Sequence, residues 1–120
     1  MPNQSAQLNR VFQALADPTR RAVLARLSAG PAQASDLAQP FRMALPSFLQ
    51  HLQVLEACGL VGSRKAGRVR TYQLAPQGLR AAEHWMAGQR ALWEHRLDQL
   101  ENDLARTESR MKHRVRNKDA

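Results

Sequence analysis

Leu45-Pro46-Ser47-Phe48-Leu49-Gln50-His51-Leu52-Gln53-Val54-Leu55-Glu56-Ala57-Cys58-Gly59-Leu60-Val61, and soon after it Arg64-Lys65-Ala66-Gly67-Arg68-Val69-Arg70-Thr71-Tyr72-Gln73-Leu74, is the stretch that decides the fold. Phe48, Leu52 and Leu55 recur at helical spacing and mark one buried face, with Leu45 beside them. Pro46 sits near the helix start, where a missing N–H is tolerated. Gly59 is placed to adopt the left-handed conformation that ends a helix. The reading is a helix from Leu45 to Ala57. A hairpin follows: Leu60 to Ser63 as a short strand, Arg64 to Arg68 as a basic turn, and Val69 to Leu74 as the return strand.

The face of this helix opposite Phe48, Leu52 and Leu55 carries Pro46, Gln50 and Gln53, with Ser47, Leu49 and His51 on its flanks. A helix of this kind fits the major groove of B-form DNA, and glutamine pairs a donor and an acceptor in the pattern that reads adenine. Ser47 and His51 can bond phosphate or base, and Leu49 can touch a thymine methyl. Polar residues on an amphipathic helix are often only solvated. Here the basic hairpin that follows, suited to an adjacent minor groove or backbone, favours DNA contact. The expected DNA-binding residues are Pro46, Ser47, Leu49, Gln50, His51, Gln53, Arg64, Lys65, Arg68 and Arg70. The expected fold class is mainly α with a small β-hairpin wing, a winged helix-turn-helix.

Upstream, Leu8, Val11, Phe12 and Leu15 share one face of a first helix. Asp17 is a good N-cap and Pro18 a good first residue for a second helix, which turns Val23, Leu24 and Leu27 inward and Arg20, Arg21 and Arg26 outward. Gly30-Pro31 ends it. Ser35 caps a short third helix through Ala38, before Pro40. Downstream, Pro76 opens a long last helix carrying Leu79, Met86, Trp93, Leu97, Leu100 and Leu104, flanked by Trp85 and Leu92. So wide an apolar stripe exceeds what one small domain covers, and it predicts a partner chain. The domain reading is a disordered segment over 1–6, one DNA-binding and dimerisation domain over 7–105, and a basic disordered tail over 106–120.

The formal net charge is +8, from 18 basic and 10 acidic residues. It favours a polyanionic partner, but acidic membranes and ribosomal RNA fit the sum equally well. The distribution says more. Residues 42–74 hold Arg42, Arg64, Lys65, Arg68 and Arg70 against Glu56 alone, whereas 75–105 are mildly acidic and 106–120 basic again. An RNA-binding winged helix would show aromatic platforms for bases, and only Tyr72 is available. Cys58 is the single cysteine, so no intrachain disulfide forms, which suits a reducing cytoplasm. No signal peptide and no run near the ~20 apolar residues of a membrane span is present. No nucleophile–base set and no glycine-rich phosphate loop points to an enzyme. The expected location is cytoplasmic, with double-stranded DNA as partner and no membrane.

Three motifs in order carry a family resemblance. Ala16-Asp17-Pro18-Thr19-Arg20-Arg21 is similar to the signature opening the second helix of ArsR-family bacterial repressors. Leu45–Val61 resembles that family's recognition helix with its HLxxLxxxGLV ending, and Gly67–Leu74 resembles its wing. The likeness covers about residues 8–104. It implies a homodimeric repressor dimerising through its first and last helices, here through Leu8, Val11, Phe12, Met86, Trp93, Leu97 and Leu100. Two departures stand out: Ala44 where the recognition-helix N-cap is commonly Ser, at roughly 1 kcal/mol of capping, and Leu49 where a small polar residue is common. Metal-sensing members often carry a CxC-type pair on the third helix, and this segment has no thiol. Others place ligands just after the wing, where Pro76 and Gly78 stand here. His84, His95 and Asp98 fall roughly on one helical face, a spacing that two antiparallel helices could turn into a zinc site. Solvated side chains are the favoured reading. The expectation is no metal and no cofactor, with a metal- or ligand-sensing repressor as the alternative and no residue pattern identifying an inducer.

Overall fold

The computed structural model describes residues 4–119, with side chains described for 5–115. The elements in chain order are α1 (Gln4–Ala16), α2 (Pro18–Leu27), β1 (Ala32–Gln33), α3 (Ala34–Ala38), α4 (Leu45–Ala57), β2 (Val61–Ala66), β3 (Val69–Leu74) and α5 (Pro76–Asp119). The chain divides into two units, residues 1–83 and 84–120. Among the described residues no helix is long and apolar enough to cross a membrane.

In the first unit, the motif around Asp17 organises the α1–α2 junction. Asp17 caps α2 by accepting the Arg20 backbone N–H at 2.9 Å. The side chains of Arg20 and Arg21 turn back rather than outward. Arg20 donates to the carbonyls of Ala14 (3.1 Å) and Gln13 (3.2 Å), and Arg21 to that of Leu15 (2.8 Å). These carbonyls belong to the last turn of α1, which has no intrahelical partners to offer them. One short motif therefore starts one helix and ends another.

The core gathers Val11 and Ala14 from α1, Val23 and Leu27 from α2, Leu37 from α3 and Phe48, Leu52 and Leu55 from α4, closed by Leu60, Val61 and Tyr72. Phe41 stacks on Phe48 with ring centroids 5.4 Å apart. The end of α4 is a Schellman motif: Leu60 N–H bonds Leu55 carbonyl at 3.0 Å and Gly59 N–H bonds Glu56 carbonyl at 3.1 Å, with Gly59 at φ +80°. Gly78 packs directly on this turn. Its N–H meets the Gly59 carbonyl at 2.9 Å, and a Cβ there would lie 2.6 Å from the Cys58 carbonyl oxygen. The first turns of α5 thus pass where only glycine fits, burying Ala82 beyond it.

The sheet is three-stranded, order β1-β3-β2, all antiparallel. Strand β1 has no counterpart in the sequence reading, because two residues, paired as Ala32↔Tyr72 and Gln33↔Thr71, are too few to show alternation. The hairpin turn is shorter than expected. Arg64 and Lys65 are strand residues opposite Thr71 and Arg70, and only Gly67 and Arg68 remain in the turn. Gly67, at φ +63°, supplies the positive φ that a two-residue hairpin turn requires. Helix α3 begins at Ala34 after an N-cap at Gln33, two residues before the expected cap at Ser35.

The second unit is the remainder of α5. Here the expected tail is corrected: the helix runs on through Asp119 instead of ending near 105. Residues 106–119 have too few apolar side chains to form a core. They also contain neither Pro nor Gly, and Arg, Lys, Glu and Met propagate a helix already nucleated upstream. At the other end α1 begins at Gln4, inside the segment expected to be disordered; residues 1–3 lie outside the described residues. Trp93, Leu97, Leu100, Leu104 and Met111 are all more than half exposed along this helix. Their spacing of four, three, four and seven residues is the repeat of a helix seam made for another helix.

Candidate nucleic-acid interface

Helix α4 presents its polar face as its periodicity requires. Phe48, Leu52 and Leu55 are fully buried, while Pro46, Ser47, Gln50 and Gln53 are exposed on the far side and the adjoining edge. Ser47, Gln50 and Gln53 bear hydroxyl or amide groups, the types that can approach base edges without a charge of their own; Leu45, Val54 and Glu56 of α4 are exposed as well. Ala44 is the N-cap and makes no side-chain capping bond.

Two residues expected on this surface are placed differently. Leu49 is half-buried and packs against the core rather than standing free. At 100° per residue it falls on the rim of the buried face, where an apolar side chain gains more from Phe48's neighbours than from water. His51 is also half-buried. Its Nδ1 lies 3.1 Å from Arg20 Nη1 and 3.8 Å from Asp17 Oδ2, so it is tied to the start of α2. The Asp17 carboxyl is held below the usual carboxylate range, first by the Arg20 backbone N–H, against a contrary effect of burial, with the Arg20 charge adding to the lowering.

The hairpin supplies the charge. Arg64, Lys65, Arg68 and Arg70 are all exposed. Lys65 and Arg70 stand directly opposite each other in the register, a like-charge pair that costs stability unless an anion lies nearby. Arg64 falls on the other face of the ribbon. Arg70 is not wholly free: it donates to Ser63 Oγ at 2.7 Å, and that hydroxyl donates to Glu56 Oε1 at 2.7 Å. Sequence reasoning missed Ser63 and Glu56, which link hairpin to recognition helix; their seven-residue separation crosses the α4–β2 turn and leaves no periodic signal. Tyr72, beneath, is buried, and burial with the nearby Glu56 charge pushes its phenol up, against Arg70. It is a packing residue.

Val11, expected in a partner interface, is fully buried within its own unit, and Leu8 and Phe12 pack partly against the same core. Met86, Trp93, Leu97 and Leu100 are exposed. Among the described residues no group of three His, Cys, Asp or Glu side chains is arranged to hold a metal ion; His84, His95 and Asp98 are exposed along α5. Cys58 is buried, its thiol donating to the Leu55 carbonyl at 3.4 Å, and burial pushes its pKa up.

A family model described as a helix-turn-helix domain matches residues 15–64. The chain is similar to the transcriptional repressor SdpR of Bacillus subtilis, at 34% identity over 66% of this chain and 88% of that one. It is similar to the crystal structure of an ArsR family transcriptional regulator, at 55% identity and TM-score 0.73 over 78% of this chain and 97% of that one. It also resembles the homodimeric winged helix-turn-helix DNA-binding domain of a possible ArsR-family regulator from Mycobacterium bovis, at 29% identity and TM-score 0.56 over 79% and 90%.

Proposed function

This chain belongs to the ArsR family of winged helix-turn-helix transcriptional regulators, and on that premise we propose that it is a cytoplasmic, homodimeric, sequence-specific DNA-binding repressor with no enzymatic activity. One observation carries the reading. A helix with an uncharged, amide-bearing exposed face and a hairpin with four exposed cations occupy the same unit, joined by the Glu56–Ser63–Arg70 hydrogen bonds. The helix is the element that reads base edges, and the hairpin holds the backbone. Pro46, Ser47, Gln50 and Gln53 form the reading face, and Arg64, Lys65, Arg68 and Arg70 the backbone contacts. The half-buried Leu49 is left at its margin.

Dimerisation rests on the exposed seam of α5, with Met86, Trp93, Leu97 and Leu100 as its centre and Leu8 and Phe12 of α1 as supporting residues. A two-fold dimer places two recognition helices on half-sites about one helical turn apart, and so favours a pseudo-palindromic operator. Metal is not proposed as an input. The third helix offers Ala34-Ser35-Asp36-Leu37-Ala38 without a thiol, and the start of α5 needs Gly78 for packing rather than for a ligand. Nuclease footprinting on the DNA upstream of the chain's own gene tests the function. The expected result is two protected half-sites about one turn apart. Protection no stronger than on random-sequence DNA would overturn the reading.

A further inference from the structure

Between α4 and the start of α2 lies a cluster of Asp17, Arg20 and His51 that the DNA-reading face does not account for. Two groups approach His51 Nδ1, and they are not equivalent. The Arg20 Nη1 nitrogen is at 3.1 Å, within hydrogen-bond range. The Asp17 Oδ2 oxygen is at 3.8 Å, outside it, and already accepts the Arg20 backbone N–H at 2.9 Å. A guanidinium has donors and no acceptor. The ring nitrogen that faces it must offer a lone pair, which leaves the proton of the neutral ring on Nε2. Arg20 is itself held in place, since its other nitrogens donate to the Ala14 and Gln13 carbonyls.

The opposite edge of the ring is open. Among the described residues no buried side-chain nitrogen or oxygen lacks a partner, and Nε2 bonds none of those residues, so Nε2 reaches solvent. His51 lies one turn from the exposed Ser47, on the edge of α4 that borders the Gln50–Gln53 face. When a helix lies in a major groove, its central face meets the bases and its edges meet the phosphate walls.

We propose that Arg20 is a positioning residue for DNA binding, holding His51 as its neutral Nε2–H tautomer so that α4 offers a backbone phosphate an uncharged donor fixed in direction. The proposal rests on the reading of α4 as the DNA-facing helix. It has a consequence that a cationic contact lacks. A side chain that neutralises a phosphate releases a counterion and steepens the salt dependence of binding, whereas a neutral donor adds affinity without changing that slope.

The test is binding of the full chain to a short mixed-sequence duplex across a salt series, paired with long-range proton–nitrogen spectra of the histidine rings in the DNA-free protein. His51→Ala is expected to weaken binding about tenfold at every salt concentration, with the slope unchanged. Arg68→Ala is expected to lower the slope by about one. His51→Gln, whose amide nitrogen reaches the place of Nε2, is expected to recover most of the loss. His51→Asn, whose amide stops near the place of Nδ1, is not. The spectra are expected to show His51 as the single Nε2–H tautomer in the wild-type chain and as a mixture in Arg20→Met. Arg20 also holds α1, so circular dichroism checks the fold of that variant. The His51 substitutions leave Arg20 in place and carry the binding test without it. A slope lowered by about one in His51→Ala, wild-type binding by His51→Asn, or a proton on Nδ1 in the wild-type spectrum would each overturn the proposal. No duplex binding by the wild-type chain would overturn the DNA reading itself, while the spectrum still decides whether Arg20 holds the ring.

Discussion

Asp17 is one carboxylate with two duties, capping α2 and facing the Arg20–His51 pair. Its folded pKa is depressed, so the stability it contributes is present above the unfolded carboxylate range and is lost as pH falls through the folded value. Asp17→Asn keeps a capping oxygen and is expected to narrow the stability gap to wild type as the medium is acidified through the carboxylate range. Asp17→Ala is expected to cost about 1 kcal/mol at neutral pH. Denaturant unfolding at a series of pH values checks both, and a gap between Asn and wild type that widens on acidification would refute the sign. Gly78→Ala places a methyl against the Cys58 carbonyl and is expected to destabilise by about 1–3 kcal/mol in the same assay. The capping role of Asp17 and the terminating role of Gly59 were legible in the sequence, because both depend on local backbone chemistry. The inward turn of Arg20 and the tie between His51 and α2 were not, since they depend on which helices meet in space.

Helix α4 begins at Ala44 without a side-chain cap. Ala44→Ser is expected to stabilise the folded state by about 1 kcal/mol, read as a rise in the denaturant midpoint; no rise would mean that the first-turn N–H groups are satisfied another way. The buried face of α4 follows its apolar spacing, as three fully buried positions leave no other phase for the helix. The wing was legible as a hairpin but not in its detail. A basic run reads as a loop, and only the pairing of Lys65 with Arg70 shows that most of it is strand. In the tail of α5 polarity reads as disorder, whereas the helix continues through Asp119 on Arg, Lys, Glu and Met that propagate a helix already begun.

A single chain leaves the seam of α5 exposed along Trp93, Leu97, Leu100, Leu104 and Met111, and a second copy is the partner proposed for it. Replacing Trp93 and Leu97 with Glu is expected to give monomers, measured by light scattering on a folded double variant; an unchanged dimer mass would place the interface elsewhere. Operator affinity is expected to be the same with added zinc and with a strong chelator. A tenfold zinc-dependent change that disappears in His84→Ala or His95→Ala, about 1.4 kcal/mol of coupling, would make the protein a metal sensor. The division of labour between helix and hairpin is the centre of the account, and one comparison tests it: the affinities of wild type, Gln50→Ala and Arg68→Ala for a footprinted operator and for a random duplex of equal length. Gln50→Ala is expected to lose about 1–3 kcal/mol on the operator and little on random DNA, while Arg68→Ala weakens both alike. Equal losses on the two duplexes for Gln50→Ala would contradict it.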